Sequence, residues 1–483
     1  MKKPGVKKNF GYNMVYQIFL MILPLVTTPY IARVLGAEGV GIYSYTYSIA
    51  HYFALFGILG TDNYGNNCIA KIRDDTQKRN TVFSEIYSMQ LIISLTAAAA
   101  YLVYALFWAQ HRQYALIQGL YVLTAVVDVS WLFCGMEDFR LTVTKQISIK
   151  VFTLAAIFVF VRTSADLWKY IAILSGGQLL AQMSMCFFVR RYVRFAFSGI
   201  RRALPHLKEI VILFIPVVAT SVYRIMDKVM LGAMSSMAQV GYYEGAEKLI
   251  NVCLCVIGSF GAVMMPRMSN LFGQGKKEEC MDLFVRSMEI ALFIGFAITF
   301  GISSVADVFV PVFYGSGYEQ SIGITVLLSV TVPFITWACI VRMLYLLPAQ
   351  RNRVYIQSVF TGAAANVIVN ALLIPQYGAV GAAVGTICAE TLVAVSQTMM
   401  VNKELDIVKC LRKSLPFLLF GILMWGAVKL IPASLGSVGL TLTVKISVGA
   451  AMYLACSGLY FIATKNQLAM GFIWQIRNKI RHK

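Results

Sequence analysis

The chain has 483 residues, of which 58% are apolar and only 13% charged, and its mean hydropathy is +0.70. A soluble domain carries about 25% charged residues, and no hydrophilic stretch here is long enough for a separate folded domain of ~50 residues; the composition therefore excludes a soluble protein and describes one integral membrane body. The net charge of +20 does not indicate nucleic acid, because the basic residues cluster in short gaps between apolar segments, as orientation signals and anionic-lipid contacts do.

Fourteen apolar segments follow one another, at about 10–33, 39–61, 82–107, 113–135, 142–161, 168–189, 208–233, 238–265, 283–305, 320–345, 354–374, 379–401, 414–432 and 441–463. Each is long enough to cross ~30 Å of hydrocarbon. A backbone in that medium must close its own hydrogen bonds, so each is expected to be a helix. The basic N-terminus runs into an apolar segment longer than the ~7–15 residues of a cleavable signal and reads as a retained first helix.

Lys and Arg alternate between gaps. The N-terminal tail has Lys2, Lys3, Lys7 and Lys8; the second gap Lys71, Arg73, Lys78 and Arg79; the sixth Arg190, Arg191, Arg194, Arg201, Arg202 and Lys208; the eighth Arg267, Lys276, Lys277 and Arg286. The tenth has Arg342, Arg351 and Arg353, the twelfth Lys403, Lys409, Arg412 and Lys413, and the tail runs from Lys465 to Lys483. The odd gaps hold little beyond Arg33, Arg112, Arg162 and Lys169. An even number of spans with both termini cytoplasmic follows.

An internal echo accompanies this pattern. Leu35-Gly36-Ala37 and Val40-Gly41-Ile42-Tyr43 resemble Leu231-Gly232-Ala233 and Val240-Gly241-Tyr242-Tyr243, and Pro24 has a counterpart in Pro216. Six spans separate the copies, so they run in the same direction. The expected architecture is two six-helix bundles related by a pseudo-two-fold axis along the membrane normal, with a cleft between them. The expected divisions are an N-terminal lobe over 1–189, a cytoplasmic linker over 190–207, a C-terminal lobe over 208–401, and a remainder over 402–483 with two more helices and a basic tail.

Charge inside a span is costly and marks candidate sites. Arg224, Asp227 and Lys228 share one face of span seven at i, i+3 and i+4, and Glu244, Glu247 and Lys248 return on span eight. These six charges sum to zero. They read either as a closed ion-pair network locking the hairpin or as a cleft wall that grips an anionic headgroup and exchanges partners. Asp128 on span four and Lys150 on span five read as a buried structural pair. Glu390 and Glu289 are each placed to bind a proton or Na⁺ in a coupled cycle, or to stay neutral and hydrogen-bonded. Asn366 and Asn370 hold a neighbouring helix or line the cleft, and Gly381 and Gly385 allow close packing. Tyr43, Tyr45 and Tyr47 read as interfacial anchors or as a platform for a sugar. The ten cysteines show no CxxC pairing and no metal spacing with the four histidines, so buried thiols are expected, with neither disulfide, metal nor cofactor.

Several stretches resemble the polysaccharide-biosynthesis flippases: Thr28-Pro29-Tyr30-Ile31-Ala32-Arg33-Val34-Leu35-Gly36 with Glu38 to Gly41; Gly60 through Tyr64-Gly65 with Arg73-Asp74; Trp131 to Glu137 with Phe139 and Lys150; Asp227-Lys228 and Leu231-Gly232 to Pro266-Arg267; and Asn366 and Asn370 through Ile374-Pro375, Tyr377-Gly378 and Gly381 to Glu390. The resemblance spans nearly the whole chain. It implies membership of the multidrug/oligosaccharidyl-lipid/polysaccharide exporter superfamily, with fourteen helices, the last two additional to the lobes, in a bacterial cytoplasmic membrane. It implies flipping of an undecaprenyl-diphosphate-linked oligosaccharide to the outer leaflet for capsule, exopolysaccharide or O-antigen, with Arg33, Arg224, Lys228 and Lys248 as the substrate-binding cations by position. Membrane lipids, a polysaccharide polymerase and chain-length machinery are the implied partners.

Three rivals stand beside that reading. A drug/cation antiporter of the same superfamily wants an acidic, aromatic cleft. A lipid II flippase shares the chemistry with a different headgroup. A membrane glycosyltransferase or polymerase needs catalytic groups on sizeable outer loops or a cytoplasmic nucleotide-sugar domain, and the sequence has neither, so no enzyme is expected.

Overall fold

The computed structural model describes residues 6–432 and 434–464, with side chains described except at 6–22, 139–142, 200, 201 and 223. Lys2, Lys3 and the basic tail from Lys465 lie outside the described residues, as do the side chains of Lys7, Lys8 and Arg201. The described residues form helices and turns and no strand. The chain divides into two compact units at Gly241/Tyr242.

The first unit is built from α1 (Val6–Ile58), α2 (Thr61–Ile72), α3 (Thr76–Phe107), α4 (Arg112–Val122), α5 (Thr124–Val127), α6 (Ser130–Gly135), α7 (Phe139–Phe160), α8 (Leu167–Val189) and α9 (Ile200–Met234), and ends in the first turns of α10 (Met237–Gly273). The second continues along α10 with α11 (Lys277–Tyr314), α12 (Gln320–Ser329), α13 (Thr331–Val341), a π-helical turn at Arg342–Leu346, α14 (Asn352–Tyr377), α15 (Ala379–Val401), α16 (Ile407–Lys429) and α17 (Val438–Ala463). Eleven described helical stretches are long and apolar enough to cross a membrane. The two arms of α1 and α16 coincide with the other three expected spans. The protein is a multi-pass membrane protein.

Spans one and two are two helices that meet at a kink. Their expected loop is reduced to Gly36, whose φ of 69° and ψ of 177° break the helix at a single residue. That backbone is open to glycine and strained for any L side chain. A few residues on, the two copies of the repeat meet. A Cβ on Gly41 would lie inside the radius of the Met237 carbonyl oxygen, and a Cβ on Gly241 inside that of Ala37. The contact is reciprocal, 41 on 237 and 241 on 37, as a local two-fold relation between the two segments produces.

Apolar and polar residues are distributed as a bilayer demands. Large side chains stand exposed on the rim, such as Phe187 at 80% and Leu459 at 70%, well beyond the scattered exposure of a soluble surface. The buried set includes Ser94, Gln118, Ser175, Thr299, Thr325 and Ser329, small or hydrogen-bonding residues that hold helices together where burying Leu gains nothing over lipid. In the second unit Tyr453 donates to the Phe293 carbonyl (2.7 Å) and fastens α17 to α11, while Tyr314 donates to the Gly245 carbonyl (2.6 Å) and fastens α11 to α10. Phe293, Phe417, Tyr453 and Phe461 form the aromatic core where α16 and α17 join α11.

The segment after α8 is extended and strapped to α3. Backbone N–H groups of Arg194, Ala196 and Ser198 donate to the side chains of Asn80 (2.9 Å), Ser84 (3.2 Å) and Ser88 (2.9 Å). Two residues of extended chain rise about 6.6 Å and four of helix about 6 Å, so every second amide meets every fourth side chain. Arg79, 8% exposed, donates to the carbonyls of Tyr192 (2.9 Å) and Arg73 and pins the start of the strap. Tyr192 donates to Asp138 (2.6 Å), and burial together with that carboxylate pushes its phenol up to about 12.

Candidate functional site

The fourth span is discontinuous. The helix stops at Val127, Asp128 and Val129 take non-helical backbone, and α6 restarts at Ser130. The freed groups have partners. Gln90 of α3 donates to the carbonyls of Ala125 (2.9 Å) and Asp128 (2.8 Å) and accepts from the Trp131 indole (3.0 Å). The Asp128 carboxylate accepts from the Ser130 amide (2.8 Å) and from Gln182 of α8 (2.9 Å). Gln182, rather than Lys150, holds Asp128. A second carboxylate approaches from α2: the Oδ1 of Asp62 is buried without a hydrogen-bond partner, and burial together with the Asp128 charge pushes the Asp62 carboxyl up to about 7. At the far end of α2, Arg73 pairs with Glu137 at 2.6 Å.

Lys150 faces a cavity of about 170 Å³ between the first arm of α1, α7 and α8, lined by Gln146, Gln178 and Gln182 among others. A wider cavity of about 480 Å³ lies beneath the strap, with Arg190 and Arg194 beside Phe83, Tyr87 and Phe195.

The charged face of α9 lies against the second arm of α1. Arg224 is exposed, Lys228 half-buried and Asp227 buried at 2%. Asp227 and Lys228 are within electrostatic reach of Tyr52, and Lys228 of His51; Tyr52 donates to the Ser221 carbonyl (3.2 Å). His51 belongs to an aromatic row. Tyr43, Tyr47 and His51 sit at i, i+4 and i+8, with centroids 5.7 Å and 5.9 Å apart, and Tyr121 of α4 closes on Tyr47 (4.8 Å) and bonds His51 Nδ1 (3.0 Å). Tyr45, on the opposite face, is buried against Gly232. Arg33 is exposed near the Gly36 break.

In the second unit Lys248 pairs with Glu244 along α10 at 3.0 Å, with Glu247 half-buried beside it. Glu289, 1% exposed, meets Lys413 of α16 at 3.5 Å. Asp307 joins Lys429 (3.0 Å) and the buried Lys445 (3.5 Å). Asn370 donates to Asn366 (3.2 Å), both fully buried, and Tyr243 bonds Thr386 (2.8 Å). Glu390, 6% exposed, lies one turn beyond Thr386 on α15. Among the described residues no three His, Cys, Asp or Glu gather as a metal site, and all ten cysteines are free thiols.

The structure thus brings Asp227 and Lys228 onto one face, joins Lys248 to Glu244, and parts Asp128 from Lys150. The charges were legible because Asp, Glu, Lys and Arg stand out against an apolar span. Gln90 and Gln182 bond around Asp128, and His51, bonded to Tyr121, lies within reach of Lys228. An uncharged polar residue in a span was their signal.

An all-α multi-pass body with charged and amide side chains bonded inside its spans defines a polytopic helical membrane protein. The family described as polysaccharide biosynthesis protein matches residues 6–272, more than half of the chain. The chain belongs to that family. It is 23% identical over 341 residues to a putative O-antigen transporter of Escherichia coli (strain K12), covering 69% of this chain and 81% of the relative. It is 22% identical over 400 residues to a putative O-antigen transporter of Shigella dysenteriae, covering 80% and 98%. Its fold is similar to that of the lipid II flippase MurJ in an inward closed conformation, with a TM-score of 0.74 at 14% identity, covering 93% of this chain and 99% of that one. An inward-facing multidrug resistance MATE transporter aligns with a TM-score of 0.56 at 13% identity, covering 85% and 99%.

Proposed function

We propose that this protein is a flippase that carries undecaprenyl-diphosphate-linked oligosaccharide repeat units from the cytoplasmic to the outer leaflet of a bacterial cytoplasmic membrane, for O-antigen, capsule or exopolysaccharide. Both termini are cytoplasmic in this reading. The observation that carries it is a cationic face on an apolar helix, Arg224 and Lys228 on α9, in a chain of the polysaccharide biosynthesis family. The O-antigen transporter relatives support the same cargo class.

The physical problem is desolvation. Each sugar hydroxyl entering hydrocarbon without a partner costs several kcal/mol, and a diphosphate costs far more. A polar path through the protein, whose lobes are taken as 1–189 and 208–401, removes that cost while the isoprenoid tail stays in lipid. Arg33, Arg224, Lys228 and Lys248 receive the diphosphate, and Asp227, Glu244 and Glu247 hold those cations when the path is empty. The lobes alternate access, no covalent bond changes, and a potential negative inside favours outward movement of the anion by ~2.3 kcal/mol per charge per 100 mV. A proton or Na⁺ at Glu390, or at Glu289 once Lys413 swings away, couples a gradient to the cycle. The polymerase and chain-length machinery act on the product.

Replacing Arg224 and Lys228 together with Ala is expected to lower outer-leaflet lipid-linked sugar at least tenfold at unchanged protein level. Undiminished flipping removes them from the mechanism. The lipid that accumulates when the gene is deleted separates the cargo classes: lipid II argues for the peptidoglycan headgroup, and a dye-efflux defect with no lipid intermediate argues for a drug or cation antiporter.

A further inference from the structure

We propose that the cavity around Lys150 is a phosphate subsite for a lipid-tethered phosphate or diphosphate, an assignment that rests on the flippase reading above and names where, inside the first unit, the anionic group is held.

Lys150 lies eleven residues from the start of α7 and ten from its end, so at 1.5 Å per residue it stands roughly 15–17 Å from both ends of the helix. A lysine at that depth cannot reach either interface with its four-carbon stem and requires a polar partner where it is. Among the described residues it has no ion pair: the Asp128 carboxylate is occupied by Ser130 and Gln182, and no carboxylate of those residues lines the cavity. A half-buried cation without a counter-ion among the described residues, deep in a span and open to a cavity, calls for an anion.

The lining specifies which anion. Gln146 and Lys150 lie one turn apart towards the middle of α7, and Gln178 and Gln182 one turn apart from the middle of α8 onwards, so the two antiparallel helices place these polar residues in the same part of the cavity. Leu154 and Ile157 of α7 and Leu174 of α8 make the other end mostly apolar, with Thr153 and Tyr170 beside them. Amide donors around one ammonium suit the oxygens of a phosphate, which Lys binds as a point charge, and the apolar end suits the first carbons of a tail. The volume, about 170 Å³, is below the ~300–1,000 Å³ of pockets that engulf a drug-sized ligand. It admits one small charged group and is too small for an oligosaccharide. Gln182 donates to Asp128, so the subsite is bonded directly to the break in span four.

The test is binding to the purified full-length protein in nanodiscs, read by native mass spectrometry and by competition, which needs no transport. The wild type is expected to bind undecaprenyl diphosphate, with inorganic pyrophosphate competing at least tenfold less well and undecaprenol, the same tail without phosphate, not competing. Lys150→Gln is expected to weaken undecaprenyl diphosphate at least tenfold, Lys150→Arg by no more than about threefold, and Gln178→Leu severalfold, with melting temperatures close to wild type. Equal binding by wild type, Lys150→Gln and Gln178→Leu overturns the subsite and leaves the flippase reading intact. Failure of the wild type itself to bind undecaprenyl diphosphate overturns the flippase reading. Equal competition by inorganic pyrophosphate overturns the lipid assignment.

Discussion

Asp62 illustrates how a single residue carries information that its neighbours in sequence do not. It lies in the first turn of α2, where a carboxylate ordinarily gains from the helix N-terminus. Here Oδ1 is buried and unbonded, and the charge of Asp128 is near, so the proton is held up to about 7 against an ordinary 3.8. The sign follows from linkage: the folded chain binds this proton more tightly than the unfolded chain, so the contribution is complete below about pH 4 and is lost as pH rises through about 7. Three units correspond to roughly 4 kcal/mol at most. Asp62→Asn is therefore expected to melt higher than wild type at pH 8, with little difference at pH 4. Parallel pH profiles of the two proteins would show that Asp62 ionises freely. Gly36 makes the complementary case, where backbone rather than charge decides: its φ of 69° joins the two expected helices at a single residue in place of a loop.

At the scale of the element, the strap from Tyr192 to Ser198 shows how a linker without regular structure is still specified. Its amides use Asn80, Ser84 and Ser88 at i, i+4 and i+8 of α3, a ladder set by the agreement of two rises. Each such bond contributes about 0.5–1.5 kcal/mol. Ala at all three positions should release the strap, seen as faster amide exchange at 194, 196 and 198 and faster proteolysis at Arg194, with exchange in α3 unchanged. Protection equal to wild type would mean that Arg79 alone holds the segment. The break in span four obeys the same accounting: non-helical backbone at membrane depth persists only where protein bonds the freed groups, and Gln90, reaching two carbonyls and one indole, does this for Asp128.

At the scale of the whole molecule, charge at the helix ends is expected to set the sides. Arg73–Glu137, Arg351–Glu404 and Arg286–Asp282 lie in gaps expected to be cytoplasmic, and Asp166–Lys169 and Asp307–Lys429 at ends expected to be external. Single cysteines placed at Ser316 and Gln274 in a background lacking the native ten should react oppositely with an impermeant maleimide on intact cells, Ser316 labelled and Gln274 protected. Labelling of Gln274 alone would invert the topology, and with it the direction of the proposed transport.

Fourteen helical spans and their order were legible in composition alone, because hydrocarbon leaves a backbone no partner but itself and the apolar runs must be helices of bilayer length. The charged residues of α9 and α10 were legible for the converse reason, the cost of charge in that medium. What each polar group bonds was not. Asp128 and Lys150 share a depth along the chain, and depth predicted a pair, yet Gln182 on α8 reaches the carboxylate and leaves the ammonium to a cavity. Gly41 and Gly241 read as two halves of a repeat, and only in three dimensions does each rest on the other's neighbour. Depth is a one-dimensional property written by hydrophobicity; partnership depends on rotation about each helix axis and on breaks such as Gly36 and Asp128, which the packing of all the helices together decides.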